Sequence, residues 1–163
     1  MKADAKPTID ELKKHGVKVA MLTGDNERSA KRVADELGID EYYAKLLPQD
    51  KLKIVDEKIA NKRPNDVYAF VGDGINDAPV LMRADVGVSM GGVGSDSAIE
   101  ASDVVLMHDN ISDIVKAKKI ARKTMSIVIE NIVFALGVKA AVLILSAVGI
   151  ASMWLAVFAD VGV

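Results

Sequence analysis

Three polar segments hold the residue types that phosphoryl transfer needs: Thr23-Gly24-Asp25, Lys51, and Gly72-Asp73-Gly74-Ile75-Asn76-Asp77. Thr23 offers a hydroxyl, and Gly24 an unhindered backbone N–H, to a phosphate oxygen in the manner of a backbone anion nest. Lys51, near a helix start, supplies a cation to offset developing negative charge. Asp73 is a hard oxygen ligand suited to Mg²⁺, and Gly72 and Gly74 beside it let the backbone approach a bound group closely. Asn76 and Asp77 are placed either to hold the phosphate or to orient Lys51 or metal-bound water, and Asp77 is a second candidate Mg²⁺ ligand.

The elements around these residues read as strands that deliver polar turns. Val17–Leu22 is an apolar run broken only by Lys18, and it ends at Thr23. Asn26–Leu37 has helical spacing and stops at Gly38, a residue suited to a helix C-terminus. Tyr42–Leu46 reads as a weak strand and Gln49–Ile59 as a helix with Pro48 near its start. Val67–Val71 is a strand running directly into Gly72. Further on, Ala78–Met82 reads as a short helix, Val86–Met90 as a strand, Asp96–Ala101 as a short helix and Val104–Met107 as a last strand. Strands separated by helices imply an α/β fold with a parallel sheet and helices on both faces. Ligands in such a fold bind beyond the carboxyl ends of the strands, so both polar turns should open into one crevice.

Composition divides the chain. Of 44 charged residues, 41 lie in positions 1–126, and the last 37 positions contain only Glu130, Lys139 and Asp160. A net charge of −2 argues against a nucleic-acid binder built on a basic face, and the absence of Cys excludes disulfides and thiolate metal sites. Met1–Glu11 is polar and gives no secretory signal. Ile111–Ser126 reads as a helix bearing Lys116, Lys118, Lys119, Arg122 and Lys123. Ile127–Ile150 follows with two charges in 24 residues, enough at about 1.5 Å per residue to cross a hydrocarbon core of about 30 Å. As a soluble core helix it would be apolar all round, and the remaining residues could not surround it. Basic residues before the span place the soluble part in the cytoplasm. Met153–Val163 begins a second apolar segment.

Val19-Ala-Met-Leu-Thr-Gly-Asp-Asn26, Leu46-Leu-Pro-Gln-Asp-Lys51 and Val71-Gly-Asp-Gly-Ile-Asn-Asp-Ala-Pro79 resemble P-type cation-transporting ATPases of the haloacid dehalogenase superfamily. Gly94-Ser-Asp-Ser-Ala-Ile-Glu-Ala-Ser-Asp103 is similar to the segment that closes their phosphorylation domain, and its Ser95, Asp96 and Glu100 read as loop and helix cap. The resemblance implies an incomplete haloacid-dehalogenase-like sheet in residues 1–110 as the C-terminal part of the phosphorylation domain. A basic cytoplasmic linker helix at 111–126, a transmembrane helix at 127–150 and the start of a last transmembrane helix at 153–163 would follow. Thr23 and Asp25 would belong to the second motif, Lys51 to the third, and Asp73 to the fourth as Mg²⁺ ligand, supported by Asn76 and Asp77. The family's phosphorylated Asp stands in an Asp-Lys-Thr-Gly sequence, and no Asp-Lys-Thr occurs in this chain. ATP would therefore reach the site through a nucleotide-binding domain elsewhere in a longer pump, and the chain alone would be inactive.

Lys139 and Asp160 are charges inside apolar segments, which are costly there and mark function by default. In an antiparallel hairpin they could meet at mid-membrane, with Asp160 a ligand for a divalent cation and Lys139 its counter-ion, or they could serve helix packing alone. Asn131-Ile-Val-Phe-Ala-Leu-x-x-Lys139 and Trp154-x-Ala-x-x-Ala-Asp160 resemble the zinc, cadmium and lead exporting branch of the heavy-metal ATPases. That implies Zn²⁺, Cd²⁺ or Pb²⁺ as the transported ion, and the membrane and the remainder of the pump as partners. A membrane-tethered, non-catalytic module that binds Mg²⁺ or phosphate, or modulates an intact pump, is the alternative.

Overall fold

The computed structural model describes residues 4–72, 75–91, 96–108 and 110–149. The chain divides into two compact units, Met1–Lys116 and Ala117–Val163. The first unit is a mixed α/β unit, and the described residues of the second are the continuation of one long helix and the turn after it.

The first unit opens with α1 (Ala5–Lys14), which the polar composition of Met1–Glu11 did not suggest. Its Ala5, Thr8 and Ile9 are buried, a spacing of three and four residues that forms one narrow stripe. Ala5 and Ile9 pack with Leu37, and Val19, Val33, Ile39 and Ile111 close around them. Lys13 Nζ ties the end of α1 to the following loop, at 2.7 Å from the Gly38 carbonyl and 2.7 Å from Asp40.

Strand β1 (Ala20–Leu22) leads into α2 (Glu27–Leu37), then β2 (Glu41–Tyr43) and α3 (Pro48–Ala60). Asn26 caps α2 by accepting the Ser29 N–H at 3.0 Å, and Gly38 ends it in the left-handed conformation at φ 68°. Pro48 stands in the first turn of α3, and the Asp50 carboxylate accepts the Leu47 N–H at 3.0 Å. Strand β3 (Ala69–Gly72) is followed by a 3₁₀ turn at Ile75–Asp77, α4 (Ala78–Arg83), β4 (Val86–Met90), α5 (Asp96–Glu100) and β5 (Val104–Leu106).

All strand pairs are parallel, as expected, but they fall into two sheets. Strands β1 and β2 pair with Ala20 opposite Glu41, while β3, β4 and β5 pair in that order with Ala69 opposite Val86 and Val88 opposite Val104. Among the described residues β1 and β3 each pair on one side only. Strand β3 also leaves apolar surface in water: Val67 just before it is 70% exposed and Val71 within it 41%.

The three-stranded sheet is packed most tightly where α4 crosses β4. Val80 and Leu81 are almost fully buried, and Val88, Met90 and Leu106 form a second cluster with Val86, Val104 and Ile114. A Cβ built on Gly87 would lie 2.6 Å from the Leu81 carbonyl oxygen, so only glycine permits this approach. Two aspartates organise the strand entrances. Asp85 accepts the Tyr68 N–H at 2.9 Å and Asp103 the Gly87 N–H at 2.8 Å.

Helix α6 (Ser112–Ala147) is a single 36-residue helix, not two helices meeting near residue 126. Its first turn belongs to the α/β unit: Asp4 accepts the Ser112 N–H at 3.2 Å, Ile111 packs on the α1 cluster and Ile114 on the β4 cluster. Farther along, Ile127, Ile129, Val133, Phe134, Leu136, Leu143 and Ile144 are exposed, as a helix suited to lipid requires. Gly149, at φ 79°, takes the left-handed conformation just past its end. Residue 150 and the apolar segment Met153–Val163 lie outside the described residues.

Two outcomes check this packing. Gly87→Ala should destabilise the α/β unit by about 1–3 kcal/mol through forced separation of α4 from β4, read as a lowered urea midpoint. The carboxyls of Asp40, Glu41 and Asp85 are held below the ordinary carboxylate range mainly by hydrogen bonds from Lys13, Lys58 and Lys62 respectively. Lowered folded values stabilise above the unfolded values near pH 4 and lose that contribution as pH falls through the folded ones. Stability should therefore decline as pH falls below about 4, and Asp85→Asn should reduce that decline.

Candidate functional site

The Thr23-Gly24-Asp25 turn leaves the carboxyl end of β1 and is fixed by the segment that precedes α3. The Thr23 N–H donates to the Tyr43 carbonyl at 3.0 Å, and the Thr23 carbonyl accepts the Leu46 N–H at 3.1 Å. The Asp25 carbonyl accepts the Lys45 N–H at 2.8 Å, with Lys45 in the left-handed conformation at φ 57°. Within the turn, Thr23 Oγ1 accepts the Asp25 N–H at 3.1 Å. That bond uses an acceptor lone pair and leaves the hydroxyl proton to donate to an anion. A Cβ on Gly24 would come within 3.3 Å of the Leu46 carbonyl oxygen, tighter than an ordinary contact. The Asp25 carboxylate is exposed.

Lys51 lies one residue past the first turn of α3, so the loop that clasps Thr23 also sets the position of its ammonium. Its Nζ reaches Asp77 Oδ1 at 2.7 Å, with side chains only 19% and 12% exposed. Asp77 ends the 3₁₀ turn that follows β3. A Cβ on Gly72 would meet Asp77 Cβ at 3.0 Å and Oδ2 at 3.2 Å, so glycine at the end of β3 is what lets Asp77 fold back against the strand. Asn76 is exposed beside it.

The structure thus joins Lys51, Gly72 and Asp77 directly, and ties Thr23 and Gly24 to the same loop that begins α3. Asp73, Gly74 and Asp160 lie outside the described residues, as does Ser95, while Asp96 opens α5. Lys139 lies within α6. The donor set for Mg²⁺ among the described residues is narrow, since one oxygen of Asp77 is already engaged by Lys51 and no group of three or more His, Asp or Glu side chains assembles there. Its bond to Lys51 suits Asp77 to orienting that ammonium.

Sequence reasoning missed Asp4, Asp85 and Asp103, whose partners are backbone N–H groups distant in sequence. A shallow cleft lined by Tyr43, Ile54, Glu57, Lys58, Asn61 and Tyr68 holds none of the motif residues.

Parallel strands with connecting helices, polar turns at the strand ends and a long apolar helix define an α/β protein of the Rossmann-like class. The haloacid dehalogenase-like hydrolase family matches residues 1–85, and the chain belongs to that family. It is 56% identical over its whole length to a cadmium, zinc and cobalt-transporting ATPase of Bacillus subtilis, and 52% identical to a zinc-transporting ATPase of Synechocystis. It spans 23% of the length of each. Its fold matches the crystal structure of a zinc-transporting PIB-type ATPase in the E2.Pi state with a TM-score of 0.90 and 42% identity, over 99% of this chain and 26% of that one.

The Lys51–Asp77 pair yields a test. Lys51→Met should destabilise the α/β unit by about 2 kcal/mol, because a largely buried carboxylate loses its cation. In a double-mutant cycle with Asp77→Leu, the double variant should lose clearly less than the sum of the two single losses.

Proposed function

We propose that this chain is the C-terminal part of an ATP-driven pump for divalent heavy-metal ions, and that it supplies the phosphate-facing motifs of the phosphorylation domain together with part of the ion path. The observation that carries the reading is the similarity to zinc and cadmium transporters across the whole chain, the α/β unit and α6 alike. The soluble unit faces the cytoplasm, consistent with Lys116–Lys123 preceding the apolar run.

In this reading a further strand, supplied by the longer protein and bearing the phosphorylated Asp, completes the sheet between β1 and β3. The unpaired edges of both strands and the exposed Val67 and Val71 suit such an insertion. Thr23 and the Gly24 N–H then contact the phosphoryl oxygens, and Lys51, aimed by Asp77, offsets their charge. Asn76 adds a hydrogen bond to the phosphate. Asp73 would hold Mg²⁺, which supplies further charge neutralisation when bound. ATP reaches this site from the nucleotide-binding domain of the longer protein.

Asp160 is the proposed membrane ligand of the transported ion and Lys139 its counter-ion. The relatives above are named for cadmium, zinc and cobalt, so Zn²⁺ and Cd²⁺ are the cargo to test first, with Pb²⁺ resting on the sequence resemblance alone. In a pump containing this chain, Lys51→Ala should lower zinc-stimulated ATP hydrolysis by about 10²–10³-fold. Asp160→Ala should abolish stimulation by zinc while the protein still folds. Unchanged zinc stimulation in Asp160→Ala would refute the metal site.

A further inference from the structure

Helix α6 carries Lys118, Lys119, Arg122 and Lys123 within six positions, immediately before its apolar part. At 100° per residue these four side chains fall on one side of the helix, and Ala117, Ile120, Ala121 and Thr124 occupy the other. Lys119, Arg122 and Lys123 are exposed and Lys118 is half-buried. Lys116, the fifth basic residue, is held by Asp113 at 2.7 Å in the α/β unit.

The spacing along the helix sets the depth of these charges. With Ile127 at the edge of the hydrocarbon, Lys123 stands about 6 Å outside it and Lys118 about 14 Å, from a rise of about 1.5 Å per residue. A headgroup layer extends about 5–8 Å beyond the hydrocarbon on each side. An anionic surface potential reaches about a further 8 Å at physiological ionic strength. All four charges therefore lie within the layer where anionic headgroups and their field act.

The row is also self-repelling. Lys118 with Arg122, and Lys119 with Lys123, are like charges one helical turn apart, an unfavourable arrangement for an isolated helix. Desolvation, followed by the nearby Arg122, holds the Lys118 ammonium below its ordinary value. Among the described residues, Lys118, Arg122 and Lys123 have no carboxylate partner. A surface of phosphodiester anions matches this arrangement in sign and depth, and the other side of the helix carries only uncharged residues.

We propose that the Lys118–Lys123 face of α6 is a binding surface for anionic phospholipid headgroups, selecting phosphodiester lipids with net negative charge over zwitterionic ones. The proposal rests on the reading of α6 as membrane-spanning. Its occupant is the lipid surface itself, because the charges adjoin the apolar run without an intervening break in the helix.

The test uses the full chain reconstituted in phosphatidylcholine bilayers with trace spin-labelled phosphatidylglycerol or phosphatidylcholine. Electron paramagnetic resonance then measures the motionally restricted fraction of each lipid. The expected result is a two- to fivefold preference for phosphatidylglycerol, about the effect of one effective charge at the surface, weakening at 1 M salt. Lys118→Gln/Arg122→Gln/Lys123→Gln should bring the ratio to about one, and the charge-keeping variant Lys118→Arg/Arg122→Lys/Lys123→Arg should retain it. Equal restriction of both lipids by the parent chain, or an unchanged preference after neutralisation, overturns the lipid surface and leaves the membrane span standing. No restricted component with either lipid overturns the span and the lipid surface together.

Discussion

The most sheltered ion pair among the described residues of the α/β unit joins elements that no strand pairing connects. Lys51 belongs to the helix after β2, and Asp77 to the turn after β3, so their ion pair at 2.7 Å joins the part built on the two-stranded sheet to the part built on the three-stranded one. Its local supports are all steric or backbone effects. Gly72 makes room for Asp77, Pro48 and Asp50 fix the start of α3, and the Leu46 N–H bond to Thr23 holds the Thr23-Gly24-Asp25 turn against that start. A charge pair this sheltered is costly to break and need not be strongly stabilising to form. Its value is positional: it sets a cation and two strand ends in register with one another.

A second constraint lies at the root of α6. Asp4 caps its first turn, Ile111 reaches the cluster under α1, and Ile114 reaches the cluster under β4. The two apolar clusters of the α/β unit thus hold Ile111 and Ile114, on either side of the start of a helix that continues without interruption into apolar sequence. Rigid helices anchored in this way can carry coupling between distant sites, provided two discrete arrangements exist for the sites to bias.

Much of this architecture was legible in the residues. Strand β4 and the short helices and strands around it were bounded by glycine, proline and aspartate, and their apolar runs matched the observed elements closely. The strand ahead of Thr23 proved shorter than the apolar run Val17–Leu22, because pairing with β2 begins only at Ala20. Helix α1 escaped notice because its buried residues are only Ala5, Thr8 and Ile9, of which Ile9 alone is strongly apolar. The division into two sheets was not readable from periodicity, since period reports which face is buried and not which edge is paired. At the site, Lys51 and Asp77 were both selected by type and spacing, but their mutual bond was one of several roles open to Asp77. Gly87 was unremarkable in sequence, since the Leu81 carbonyl that it must accommodate is brought there only by the crossing of α4 over β4.

The central claim is that phosphate chemistry in the α/β unit and metal binding in the membrane belong to one coupled machine. Linkage makes this directly measurable: if metal in the membrane shifts the state of the phosphate site, the two occupancies must alter each other by the same factor. The decisive measurement is phosphorylation of a pump containing this chain by radiolabelled inorganic phosphate and Mg²⁺, as a function of Zn²⁺ concentration. The account predicts a phosphoprotein level that changes saturably with Zn²⁺ and loses that response when Asp160 is replaced by alanine. A phosphoprotein level indifferent to Zn²⁺ in the unsubstituted pump would contradict it.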